Sequence, residues 1–217
     1  MSVKIINLTG NRDGFEDDFA TNLSSNLTHQ CVLISLRGED VLEFPPMPMQ
    51  ADVKLLVFIC HGLRIADNTE LDIGLDEHPY RSIGYFSSPD ILSRFAINIE
   101  SYFAVIYFVC DSFSPGSIVA FDNEEKCLGT ISNTTEVDTS HFVEMSCLLN
   151  QIHDVLDLGC NKENIISHIK NVMEVCIKND GLKDFVFTEN LLVTELNGVA
   201  LYYETNNEPR GCLAENR

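Results

Sequence analysis

Basic residues are scarce in this chain. It has 14 Lys and Arg against 33 Asp and Glu, a formal charge of −19 over 217 residues. A phosphate backbone is held by clustered cations, so this balance argues against direct nucleic-acid binding. The excess of carboxylates keeps the chain soluble and steers basic partners or substrates towards it. Long apolar runs are missing as well. No stretch approaches the roughly 18 residues that a membrane-spanning helix needs. Met1-Ser2-Val3-Lys4 leads into a short apolar segment without a signal-peptide cleavage pattern. The expectation is a cytoplasmic chain with no membrane contact.

Paired cysteine spacing is absent too. The eight cysteines, at 31, 60, 110, 127, 147, 160, 176 and 212, include no Cys-x-x-Cys. That removes the usual signals for a zinc site or a thioredoxin-like centre, and neither a metal nor a cofactor is expected. Most of these thiols read as small buried hydrophobes. There is no internal repeat. With 45% hydrophobic and 22% charged residues the composition is that of an ordinary globular protein.

Two apolar runs stand out against this background. Val105-Ile106-Tyr107-Phe108-Val109 ends at Cys110-Asp111-Ser112, and Val53 to Ile59 ends at Cys60-His61-Gly62. Continuous runs of this length read as strands buried on both faces of a parallel sheet. If they are parallel neighbours, Cys110 and His61 emerge at the same carboxyl edge, where open α/β sheets place their ligands. A thiol beside an imidazole makes a nucleophile–base pair. Cys60 alternates to the opposite face and belongs to the core.

His61 precedes Cys110 by 49 residues, and in caspase-type peptidases the histidine lies about 50 residues before the nucleophile. The order strand–His-Gly then strand–Cys resembles the caspase-like clan of cysteine peptidases. Cys110-Asp111-Ser112, an acidic residue and a serine after the cysteine, is similar to its CHAT-type branch. The likeness continues through Cys127-Leu128-Gly129-Thr130-Ile131-Ser132, covering most of residues 50 to 180. Val109 replaces the small residue usual before the cysteine, and the caspase signature Gln-Ala-Cys is absent.

The resemblance implies a caspase-like three-layer α/β/α sandwich and a His61–Cys110 dyad. It also implies that the Gly62 backbone N–H helps hold an oxyanion. Asp111 either orients substrate or solvates the turn. Partners implied are a protein or peptide substrate and a regulatory protein, since CHAT-type proteins are commonly joined to sensors, several in bacterial immune systems. The alternative is a caspase-like scaffold that binds a partner without catalysis. An α/β-hydrolase would need a G-x-S-x-G or G-x-C-x-G elbow, and no glycine flanks Cys110.

The rest of the chain alternates strand and helix. Strands are expected at 3–8, 31–36 and 127–131. Helices are expected from Asp13-Gly14, from Pro89, after Ser114-Pro115, through Phe142–Ile152 and through Ile165–Cys176. This gives a mostly parallel twisted sheet with helices on both faces. Residues 63–88 read as a long irregular acidic loop. Phe185-Val186-Phe187 is a strand, and Asn197-Gly198 signals a C-terminal β-hairpin that extends or caps the sheet. One domain, 1–204, followed by a polar tail, 205–217, is the expected organisation. Of the other histidines, His141, His153 and His168 fall on expected helices, and His29 and His78 in turns or loops.

Overall fold

The computed structural model describes residues 2–9, 15–36, 52–65, 68–74, 82–86, 99–110, 126–189, 194–196, 199–203 and 209–213. Six strands form the main sheet: β1 (Ser2–Asn7), β2 (Gln30–Ser35), β3 (Val53–Ile59), then β7 (Phe103–Phe108), β8 (Cys127–Asn133) and β9 (Phe185–Glu189). Between β3 and β7 lie β4 (His61–Ile65), β5 (Asn68–Gly74) and β6 (Ser82–Phe86). The sheet order is β2-β1-β3-β7-β8-β9. All neighbours are parallel except β8 and β9, which run antiparallel. The protein is an α/β protein with a mostly parallel sheet, as the alternation of elements requires.

The central strands are apolar along their whole length because both of their faces are buried. Every residue of β1, β3 and β7 is buried. One face carries Val3, Ile5, Leu55, Val57, Ala104, Ile106 and Phe108. Three helices pack there: α1 (Phe15–Ser25), α2 (Phe142–Leu156) and α3 (Lys162–Cys176). The sequence spacing identifies their inward residues correctly, among them Phe19 and Leu23, Met145 and Ile152, and Ile165 and Ile169. The opposite face, with Ile6, Leu56, Phe58, Val105 and Tyr107, is buried as well. The helices expected from Pro89 and after Pro115 lie outside the described residues.

Two aromatic contacts fix the end of β7. The Phe108 ring meets Phe19 of α1 edge-on at 5.8 Å and Phe185 of β9 at 5.7 Å. On the other face Phe58 and Tyr107 are directly paired across the β3–β7 ladder, and their rings stack at 5.8 Å. Such pairs add about 0.5–1.5 kcal/mol each beyond area burial. They hold the last residues of both strands in one register.

Two expectations need correction. The segment 63–88 is expected to be irregular, but its described residues, 63–65, 68–74 and 82–86, belong to β4, β5 and β6, a separate antiparallel three-stranded sheet. Its strands are short and only partly apolar, so their periodicity is easily mistaken for loop. The C-terminal hairpin strands pair, β10 (Thr194–Leu196) antiparallel with β11 (Val199–Tyr203), while Asn197-Gly198 lies outside the described residues. Among the described residues, however, the hairpin does not extend the main sheet by hydrogen bonding. It is completed by β12 (Pro209–Leu213), drawn from the segment expected to be a tail.

Gly129 is the one position in β8 where a side chain has no room. Its φ is +156°, and a Cβ would strike the Thr188 carbonyl and the Phe187 ring, two of whose carbons lie at 2.8 and 2.9 Å. The antiparallel β8–β9 pairing depends on that approach. Gly129→Ala is expected to lower stability by about 1–3 kcal/mol. Urea unfolding checks this: the midpoint should fall with the slope unchanged. An unaltered midpoint would show that β9 yields freely.

Candidate active site

The thiol and the imidazole singled out in the sequence come to one edge of the sheet. β3 and β7 are parallel neighbours in the register Phe58↔Tyr107 and Ile59↔Phe108. The contact continues one residue further, Cys60 N–H donating to the Phe108 carbonyl at 3.4 Å. His61 and Cys110 each stand two residues beyond the last register pair, at the carboxyl ends of adjacent strands. Cys60 and Val109 are buried on the second face, with Phe58 and Tyr107. Strand alternation therefore assigns His61 and Cys110 to the face that carries Ile59 and Phe108.

Cys110 is half-buried, and its Sγ accepts a hydrogen bond from the Val137 N–H at 3.4 Å. Val137 packs on the α1/α2/α3 side of the core, in agreement with the alternation. His61 is also half-buried, and its Nε2 is shielded from solvent. It opens β4 and sits opposite Asp72 of β5 in the ladder. Gly62 comes next in β4, opposite Leu71. Asp111 lies outside the described residues. Cys60 is core, 5% exposed, as expected.

Sequence reasoning missed the neighbouring cleft. The loop after β8 and the turn before β9 enclose a cavity of about 410 Å³ at the same edge. Glu136, Asp138, Asp180 and Asp184 line it, together with His141 and Lys183. Glu136 and Asp138 flank the residue that donates to Cys110. The Ser140 hydroxyl and N–H both donate to Asp138, at 2.7 and 3.0 Å, and hold its carboxyl below the usual range. Gly181 lies against His141 so closely that a Cβ would meet its ring. These residues are scattered through polar turns, and only the antiparallel arrival of β9 gathers them.

The remaining described thiols have other surroundings. Burial pushes Cys127 up to about 12 and Cys31 up to about 11. Cys147 is exposed.

No protein-family model matches the chain, and no curated protein matches it. Among solved structures it is similar to the Drosophila initiator caspase Dronc, at 9% sequence identity and a TM-score of 0.46. That likeness covers 86% of this chain and 78% of that one.

Thiol accessibility gives a direct check of these environments. Brief alkylation of the native protein at pH 8, mapped by mass spectrometry, should modify Cys110 and Cys147 and spare Cys60 and Cys127. Thiolate is the reactive form, and a buried thiol with a raised pKa supplies almost none. Labelling of Cys127 as fast as Cys147 would contradict the described core.

Proposed function

We propose that the chain is a cysteine endopeptidase of the caspase-like, CHAT-type kind, with Cys110 as nucleophile and His61 as general base and then acid. The observation that carries this reading is the β3–β7 register, which brings the two residues to adjacent strand ends. In the proposed reaction Cys110 gives its proton to His61 and attacks the peptide carbonyl. The amine leaves with the proton from His61, and a thioester remains. Water, deprotonated by His61, then hydrolyses the thioester and frees the thiol. Gly62 is assigned to the oxyanion and Asp111 to the substrate.

The residue before the scissile bond is proposed to be basic. The cleft linked to Cys110 through Val137 supports this, since four carboxylates line it against one lysine and one histidine. A cation entering it meets complementary charge, which favours both approach and register. Control is proposed to come from a regulatory protein that sets the β4–β5–β6 unit beginning at His61. Opening a site populated at about 1% needs only ~3 kcal/mol of differential binding.

Peptide-library turnover tests the reaction. Cys110→Ala and His61→Ala should each abolish cleavage, and the double variant should be little worse than either, because the two act as one unit. Substrates with Lys or Arg before the scissile bond should dominate, and Asp180→Lys should weaken that preference. The isolated monomer should be nearly silent until a partner is added. Full activity in Cys110→Ala would refute the mechanism. Failure of a thiol-reactive peptide probe to label Cys110, with or without partner, would favour the scaffold reading.

A further inference from the structure

A second cluster of chemically capable side chains lies at the other edge of the sheet. His29 stands immediately before β2, at the amino edge of the parallel strands. His153 and Asp154 lie in the last turn of α2. The two imidazoles face each other at 3.8 Å, tilted by 22°. His29 Nε2 is 3.0 Å from Asp154 Oδ1, and one ligand atom from each of His29, His153 and Asp154 lies within 4.8 Å of the others.

His153 is the unusual member. It is only 1% exposed, yet neither ring nitrogen has a hydrogen-bond partner. Asp157 Oδ2 stands 3.4 Å from Nδ1, close enough for electrostatic contact but without hydrogen-bond alignment. Buried polar groups are nearly always satisfied, so an orphaned imidazole calls for a reason.

The turn is already fastened to the helix. Asn150, one turn before His153, accepts from the Thr28 N–H at 2.9 Å and the Thr28 hydroxyl at 3.0 Å. Its amide donates to the Asn26 carbonyl at 3.3 Å. This clamp fixes where His29 meets α2 before any ligand arrives.

We infer that His29, His153 and Asp154 form a binding site for a first-row divalent transition ion, Zn²⁺ in the first instance. Two nitrogens and one carboxylate oxygen are a zinc donor set, with a solvent molecule completing the tetrahedron. Bonds of about 2.0–2.2 Å at tetrahedral angles set ligand atoms roughly 3.3 Å apart. The His29–Asp154 pair is near that spacing already. Stacked rings cannot both aim their in-plane lone pairs at one ion, so the proposed site requires the partly exposed His29 ring to turn out of the stack, with exposed Asp154, to meet an ion on the fixed His153. Asp157 Oδ2, 3.4 Å from Nδ1 of His153, is near enough to support that ring once the two align, which leaves Nε2 for the ion. The ion pins α2 to the α1–β2 turn at the edge away from Cys110, so the site is independent of the proposed peptidase chemistry.

The purified full chain, stripped with chelator, is titrated with Zn²⁺ by calorimetry and with Co²⁺ by absorption. One ion per chain should bind, the thermal midpoint should rise with Zn²⁺, and Co²⁺ should show no thiolate charge-transfer band. His29→Ala and Asp154→Asn change a partly exposed and an exposed residue, and circular dichroism checks their fold. Each should weaken Zn²⁺ binding at least tenfold and abolish the thermal shift. Absence of saturable binding, unchanged affinity in both variants, or a thiolate band pointing to the cysteines would each overturn the assignment.

Discussion

The parallel pairing of β3 with β7 is the contact on which the rest of the molecule depends. Seven buried residues of β3 and six of β7 run side by side at the centre of the sheet. Each large side chain buried there contributes about 1.5–3 kcal/mol, and a slip of one residue would turn every one to the wrong face. The register is therefore fixed by the core. The residues just beyond the two strands are delivered to a fixed place, Cys60-His61 from β3 and Val109-Cys110 from β7. A site built on strand ends inherits the precision of the sheet.

This explains which parts of the molecule could be read in advance. The central strands announce themselves as apolar runs, and α1, α2 and α3 as residues recurring every three or four positions. These alone are enough to give the sheet class and the shared edge of His61 and Cys110. The β4–β5–β6 sheet is hidden because strands such as His61–Ile65 and Asn68–Gly74 mix charge with apolar residues. Their pairing is with one another, outside the main sheet. The acidic cleft is hidden for a different reason. Glu136 and Asp184 are far apart in sequence, and the antiparallel β8–β9 pair brings them together, Asn133 facing Phe185.

The histidine pair shows a third limit. His153 falls on the apolar stripe of α2, beside Ile152, and helical periodicity gives no sign that the ring is buried without a hydrogen-bond partner. His29 lies in a turn more than a hundred residues earlier. Cysteine spacing, the signal used to set metals aside, says nothing about imidazole and carboxylate donors contributed by separate elements. The two ends of the sheet thus present different chemistry: a thiol, an imidazole and a carboxylate-lined cleft at the carboxyl edge, and nitrogen and oxygen donors at the amino edge.

The central claim is that residues 61 and 110 are spatial neighbours at the end of one strand pair. It is tested most directly by His61→Cys in a Cys60→Ser background. Mild oxidation should join position 61 to Cys110, because adjacent parallel strands bring Cα atoms within the roughly 4.4–6.8 Å that a disulfide spans. Peptide mapping by mass spectrometry should recover that cross-link as the main product. Its absence, with Cys110 still free after full oxidation of exposed thiols, would contradict the account.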